Sequence, residues 1–551
     1  MSALLRSRAP LASNRAIGTL VVVVAVLLPW LSAGNHPLYS PDEGRYAAAS
    51  RAMAEGGSWL VPTLYGRPHL TKPPLTYWLQ AASMEVLGPT ELAVRLPSLV
   101  SGSLAVLLAF GIGRGIGGTR TGVLASALLG MMPLFLGMSR LGTTDALLNL
   151  WWMGIIASAL MAMHTGRARW WIAMWAAAAA GVLTKGPVPI IPLTCVAAWL
   201  ALAGRWRTLL RPWMLLGAIL AAAPYAAWAG AVLLRYPDAA EVWRQQYVDR
   251  VVTSDVRPEP FWFYLPVFLA GMFPATAMLT LPGWNLSWRR SWQVLRSGNA
   301  IALLALAVVV PLAAFSVSKG KMPTYILPVG PSLAVLVAMM LEDRLQGRDA
   351  RPLPHGGRLR RPDVIHTLLI STTIVAVVLT VVAAIGDVVP WTGTLPFLAI
   401  PLAAVALAAL WPRGTEARAV GMLAVFAAWS ASVAWGTVLE DNGRALTDPR
   451  LSLERIKAAT GQDAPAVTMI GLKDPTLYFY AGLKGGFSSV LPAERRRGDL
   501  FVIDRNQFEQ FSDEPGWSGL VERTEIRLWP NRRMVVLEAE PPLGPDASSS
   551  R

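Results

Sequence analysis

Apolar stretches of roughly 18 or more residues, split by short polar connections, recur from residue 16 to residue 438. Each is long enough as a helix to cross about 30 Å of hydrocarbon. The pattern predicts about 13 spans, near residues 16–33, 92–112, 121–138, 144–163, 170–184, 186–203, 212–234, 260–282, 299–317, 323–341, 364–386, 394–411 and 418–438. After residue 440 the pattern changes. Short apolar runs at 466–470, 500–503 and 534–537 predict strands, and 453–459 and 507–511 predict helices. The expected architecture is therefore an α-helical polytopic membrane domain over 1–439 and a small α/β soluble domain over 440–551. Residues 1–15 are basic and lead into an apolar stretch at 17–31, as a signal sequence does. We read it as an uncleaved first span, because the topology needs it; cleavage near Ala33 is the alternative.

Composition excludes the soluble class. Apolar residues make up 54% of the chain and charged ones 15%, against about 25% charged in a soluble domain. The net charge of +15 comes with arginines concentrated in alternate connections, which is not a nucleic-acid footprint. Arg6, Arg8 and Arg15 precede the first span. Every second connection after it is basic: Arg114 and Arg120; Arg167 and Arg169; Arg205, Arg207 and Arg211; Arg289, Arg290 and Arg296; the stretch 344–361; Arg413 and Arg418. By the positive-inside rule these are cytoplasmic, and the intervening connections and the tail face outward. Three outward segments are longer than turns: a first loop over 34–91, a second over 236–259, and the tail. Helix-like stretches after Pro41 and after Pro73 are amphipathic enough to lie at the membrane interface.

The lysines carry the sharpest chemical signal. Lys457, Lys473 and Lys484 belong to the tail, and the remaining four, Lys72, Lys185, Lys319 and Lys321, all fall in outward connections. Ammonium groups gathered at that level predict a site for a polyanion, most simply phosphate. The alternative is that each snorkels separately from a helix end to the headgroups. Acids occur at the same level: Asp42 and Glu43 after Pro41, Asp145 at the opening of a span, and Asp249 in the second loop. Asp145 is either a site residue or the N-cap within Thr143-Thr144-Asp145, and Asp42 could cap the helix running toward Met53. Other signals fall away. Gly113, Gly115 and Gly118 spell GxGxxG at a span end with no preceding strand, and no Walker A pattern occurs. The five histidines show no metal-ligand spacing, and Cys195 is the one cysteine.

Several motifs follow in a set order: Tyr39-Ser40-Pro41-Asp42-Glu43-Gly44-Arg45-Tyr46, Gly66-Arg67-Pro68, Thr71-Lys72-Pro73-Pro74, Tyr77-Trp78, Leu183-Thr184-Lys185-Gly186 and Lys319-Gly320-Lys321-Met322-Pro323-Thr324-Tyr325. In that order the chain resembles the bacterial aminoarabinose (lipid A 4-amino-4-deoxy-L-arabinose) transferase group, within the protein-mannosyltransferase-like superfamily of GT-C glycosyltransferases. The resemblance implies a GT-C-like fold and an inner-membrane enzyme with a periplasmic active site. It implies transfer of a sugar from undecaprenyl phosphate, in the best-known case to lipid A phosphate. Carried over by motif, it implies Asp42 as catalytic carboxylate and Asp145 as a second site acid. It implies Arg45 and Lys72 as phosphate contacts, with Lys185, Arg250 and Tyr325 lining the cavity. Two departures stand out. Thr71 precedes the motif lysine where that branch usually has glutamate, and residues 236–259 contain no histidine. A metal site built from those groups is not expected, and no other cofactor is implied.

The expected activity is that of an inverting transferase using a polyprenyl-phosphate sugar. Its leaving group is already a phosphate, so the protein need only hold that charge and orient or activate the acceptor. Lipid A, another envelope glycan and a protein are all open as acceptor, the last making the chain a protein O-glycosyltransferase. A lipid-linked-sugar flippase would instead carry charged groups through the membrane depth, and the inner halves of these spans lack acids and lysines. Donor, acceptor and membrane lipids are the expected partners of a monomer, without nucleic acid.

Overall fold

The computed structural model describes residues 9–31, 33–39, 41–249, 259–279, 288–345, 448–512, 514–528 and 532–540. The chain divides into two compact units. Met1–Ser32, Thr71–Leu75 and Ser98–Leu439 make the first, and Ala33–Leu70, Thr76–Pro97 and Glu440–Arg551 make the second.

The first unit is helical. Among the described residues, Glu91–Gly117, Thr144–Thr165, Pro212–Arg235 and Ala300–Val317 are long and apolar enough to cross a membrane, at positions where the hydropathy pattern predicts spans. Thr119–Met131 and Pro133–Arg140 make a fifth span if taken together, bent by 69°. The bend has a local cause. Pro133 lacks an N–H and disfavours helical backbone at the residue before it, and Met132 is accordingly extended, with ψ 119°. Three expected spans are shortened, among the described residues, to the apolar helices Arg15–Trp30, Ile190–Leu202 and Phe261–Gly271. The expected spans at 364–386, 394–411 and 418–438 lie outside the described residues. Thr144–Thr165 and Ala168–Lys185 form a helical hairpin through Gly166, whose φ of 67° ends the first helix. Small residues let the two backbones approach: a Cβ on Gly154 would lie 3.3 Å from that of Ala177. Trp152, Ile156, Met174 and Ala178 are buried in the same core.

The second unit mixes helices and strands. Its N-terminal part holds the helix Asp42–Ala54 and a hairpin of β1 (Thr63–Leu64) and β2 (Arg67–Pro68), followed by most of the helix Leu75–Leu87. Its C-terminal part holds β3 (Val467–Ile470), β4 (Gly485–Ser488), β5 (Leu500–Asp504), β6 (Leu520–Leu528) and β7 (Arg532–Ala539), in the order β4-β3-β5-β7-β6. The β3 pairings with β4 and β5 are parallel, and those of β7 with β5 and β6 antiparallel. Side chains alternate between the two faces as strand geometry demands. Leu500, Val502, Met534 and Val536 join one core, and Phe501, Ile503, Val535 and Leu537 another. The first of these cores also contains Ala47 and Ala48 of the helix Asp42–Ala54. That helix packs against the short C-terminal helix Pro475–Tyr480, with Arg51 Nη1 donating to the Phe479 carbonyl at 2.6 Å, where its amphipathic pattern suggested a place at the membrane interface. Strands β3, β5 and β7 fall where strands are expected. The outer strands β4 and β6 were not legible, one being glycine-rich and the other charged along its length.

Candidate active site

In the first unit, charged and aromatic groups meet around Lys185. Thr143, extended at φ −119°, supplies the side-chain cap of the helix Thr144–Thr165, so Asp145 is not its cap. Asp145 is the second residue of that helix and accepts from Lys185 Nζ at 2.6 Å, both side chains being 14% exposed. The same Nζ lies 5.6 Å from the ring centroid of Tyr325, which stands on the short turn Pro323–Ile326. Gly186 ends the lysine's helix with φ 68°, and a Cβ there would come within 2.7 Å of the Tyr247 ring. Glycine thus lets Tyr247 close against this turn. The Tyr247 ring centroid is in turn 5.7 Å from Lys72 Nζ, which donates to Gln246 Oε1 at 3.3 Å. Lys72, Tyr247, Lys185, Asp145 and Tyr325 form one continuous strip within this unit, joining lysines far apart in the chain.

The other outward lysine pair behaves differently. Lys321 is buried and donates to the backbone oxygens of Ser318 at 2.5 Å and Glu259 at 2.8 Å. Lys319 keeps its side chain exposed, while its carbonyl accepts from the Glu259 N–H at 3.4 Å. Arg250 lies outside the described residues. Upstream of it, Arg244 bonds both Glu241 and Asp249. Hydrogen bonds from Arg244 and then Gln245 hold the Glu241 carboxyl down to about 2.

In the second unit Asp42 opens its helix after Pro41, and no side-chain cap bond forms there. Asp42 Oδ1 instead accepts from Arg45 Nη2 at 3.1 Å, with the two side chains 50% and 42% exposed. The neighbouring Glu43 points the other way and is fully buried. Its Oε1 and Oε2 each accept from Arg95, from Nε and Nη2, at 2.8 Å, and Oε2 also takes the Tyr39 N–H at 2.8 Å. Arg95 spends its remaining donors on the carbonyls of Ala33 at 2.7 Å, His36 at 2.9 Å and Pro37 at 2.9 Å. This clamp, together with Gln246 and Tyr247, was missed in the sequence. Arg95 did leave a signal: it is an arginine at the outward end of a predicted span, against the positive-inside rule. Gln246 and Tyr247 left none. Among the described residues, no group of three or more His, Cys, Asp or Glu side chains could hold a metal ion.

Comparison with known proteins agrees with these motifs. Residues 71–229 match the family described as dolichyl-phosphate-mannose-protein mannosyltransferase. An undecaprenyl phosphate-α-4-amino-4-deoxy-L-arabinose arabinosyl transferase of Pseudomonas aeruginosa (strain UCBPP-PA14) is 33% identical over 347 residues, covering 61% of this chain and 61% of the relative. The protein of the same name from Aeromonas hydrophila is 32% identical over 329 residues, covering 57% and 58%. The chain thus spans about 61% or less of the length of these two curated relatives. In three dimensions, ArnT from Cupriavidus metallidurans bound to undecaprenyl phosphate superposes with a TM-score of 0.77 at 21% identity, covering 95% of this chain and 99% of that one. At that identity the superposition speaks for the fold. In sequence the chain is similar to the bacterial aminoarabinose transferases and, over residues 71–229, to the protein mannosyltransferase family, and in fold it is similar to ArnT.

Proposed function

We propose that this chain transfers a sugar from undecaprenyl phosphate to an envelope acceptor such as lipid A, at the periplasmic face of the bacterial inner membrane. The observation that carries the reading is the strip in which Lys72 and Lys185 are gathered by Tyr247, Asp145 and Tyr325. Cations held in a partly enclosed place by aromatic rings and one carboxylate suit a phosphate that must arrive, gain charge and leave. The relatives' names supply the donor. In this reading an acceptor oxygen attacks the anomeric carbon, the bond from that carbon to the lipid phosphate breaks, and undecaprenyl phosphate departs with the electron pair. Asp42 accepts the proton of an acceptor hydroxyl, or orients an acceptor phosphate that has none to lose. Asp145 is the second site acid. Arg45, Lys72, Lys185, Arg250, Lys319 and Tyr325 hold the donor, and Lys321, bonded to the Ser318 and Glu259 carbonyls, fixes the turn that carries Lys319. The reading keeps about 13 transmembrane helices, a tail outside the membrane and a monomer.

Asp42→Asn tests it, because the substitution keeps shape and removes charge. In purified enzyme supplied with donor and lipid A, we expect retained undecaprenyl phosphate binding and transfer lowered about a hundredfold or more. Transfer near the wild-type rate would reduce Asp42 to a surface residue and end the mechanism. The family match to protein mannosyltransferases favours a second acceptor, a protein hydroxyl. Mass spectrometry of envelope lipids and glycoproteins from cells with and without the gene decides between the two.

A further inference from the structure

The hairpin β1–β2 turns on Tyr65 and Gly66, with φ of 54° and 71°. A two-residue turn of that hand ordinarily takes Asn-Gly or Asp-Gly, since a bulky side chain is poorly tolerated in left-handed backbone. Tyr65 therefore sits there at a conformational cost, of the kind that persists where the side chain is needed. Its ring packs on those of Tyr478 and Phe487, with centroids at 4.7 Å and 6.3 Å. Its hydroxyl is buried and has no hydrogen-bond partner among the described residues. Such a group costs stability unless something arrives to bond it. Burial first, then Asp474, push the hydroxyl's pKa up; the Arg45 guanidinium pulls against them, which places Tyr65 within its field. Beside Phe487, the exposed Lys473 holds its Nζ 4.6 Å from the ring centroid. Phe487 lies on β4, an outer strand of the five-stranded sheet. Within this unit the groups run from Lys473 over Phe487 to Tyr65.

We propose that Lys473, Phe487 and Tyr65 form a docking strip for an anionic saccharide headgroup, the phosphorylated sugar face of a glycolipid acceptor. The Lys473 ammonium takes the phosphate charge. The Phe487 face carries the apolar side of a sugar ring. The Tyr65 hydroxyl gains its missing bond from a sugar hydroxyl or a phosphate oxygen. The inference deepens the transferase reading by naming the acceptor's contacts, and rests on that reading only for what is transferred. None of the three residues belongs to the donor set.

The test uses the full chain in lipid nanodiscs, with three probes: lipid A carrying its phosphates, dephosphorylated lipid A, and undecaprenyl phosphate. Tyr65→Phe keeps the ring packing and removes an unbonded hydroxyl, so its unfolding midpoint stays level or rises. We expect it to weaken binding of phosphorylated lipid A about tenfold. Lys473→Gln does the same through charge, and both bind undecaprenyl phosphate as wild type does. Wild-type lipid A binding in both variants overturns the strip. So does equal wild-type affinity for lipid A with and without phosphates, or a preference for a serine/threonine peptide over lipid A. If the wild type ignores undecaprenyl phosphate while the variants lose lipid A, the strip stands and the transferase reading falls.

Discussion

Glu43 with Arg95 in the second unit and Asp145 with Lys185 in the first are both close ion pairs, at 2.8 Å and 2.6 Å. Their surroundings differ. The Glu43–Arg95 pair is 0% and 1% exposed, and Arg95 also bonds the backbone of Ala33, His36 and Pro37. The Asp145–Lys185 pair keeps 14% of each side chain exposed and faces the Tyr325 ring. Taking charges out of water costs several kcal/mol per ion, so a pair like the first survives only with its donors and acceptors met. Such a pair joins chain segments. A pair left partly open can exchange a partner for a ligand anion at lower cost. Lys321, committed to two backbone carbonyls, sides with the joints.

The comparison breaks first at Arg95. Arg95→Met leaves Glu43 buried without its partner, a loss of about 3–5 kcal/mol. The variant should accumulate poorly, with a lower thermal midpoint in detergent. A wild-type midpoint would mean that burial does not separate the two pairs.

Asp145→Asn is the sharper arm. It should keep the fold to within about 1 kcal/mol, because Thr143 caps the helix and the pair is partly open to solvent, at 14% exposure of each side chain. Transfer should nevertheless fall about a hundredfold, measured with purified enzyme at saturating acceptor. If the variant instead fails to fold like Arg95→Met, Asp145–Lys185 is a joint too.

How much of this was legible in the sequence follows the same division. Hydropathy placed the long helices because a membrane demands uninterrupted apolar length, and strands β3, β5 and β7 were read from their short apolar runs. Asp145 and Lys185 were legible singly as charges where charge is costly. Their pairing was not, since the two lie on different helices of one hairpin. The opposite fates of Asp42 and Glu43 were hidden as well: adjacent positions on a helix face different ways, and only Arg95 decides which is buried. The bend at Met132 could have been read from Pro133, which sits mid-span in an otherwise unbroken apolar run.

The smallest expected effect lies on the sheet surface, and it supplies the other end of the scale. Arg533 and Arg505 both bond Glu525, at 2.9 Å and 3.1 Å. The Arg533 hydrogen bond, the larger cause, holds the Glu525 carboxyl down at about 2, against an ordinary 4.5. A depressed carboxyl stabilises the fold above its unfolded pKa, and the contribution disappears as pH falls through the folded value. Glu525→Gln should therefore match the wild-type midpoint near pH 2 and lie slightly below it at pH 7. The group is open to solvent, so the difference should be near the limit of measurement and vanish in 1 M salt, on the order of a 3 Å screening length. Thermal unfolding of both proteins at low and high salt measures it. A loss at Glu525 comparable to that of Arg95→Met, or one that survives salt, would show that pairing alone, rather than burial and backbone wiring, sets what an ion pair contributes in this chain.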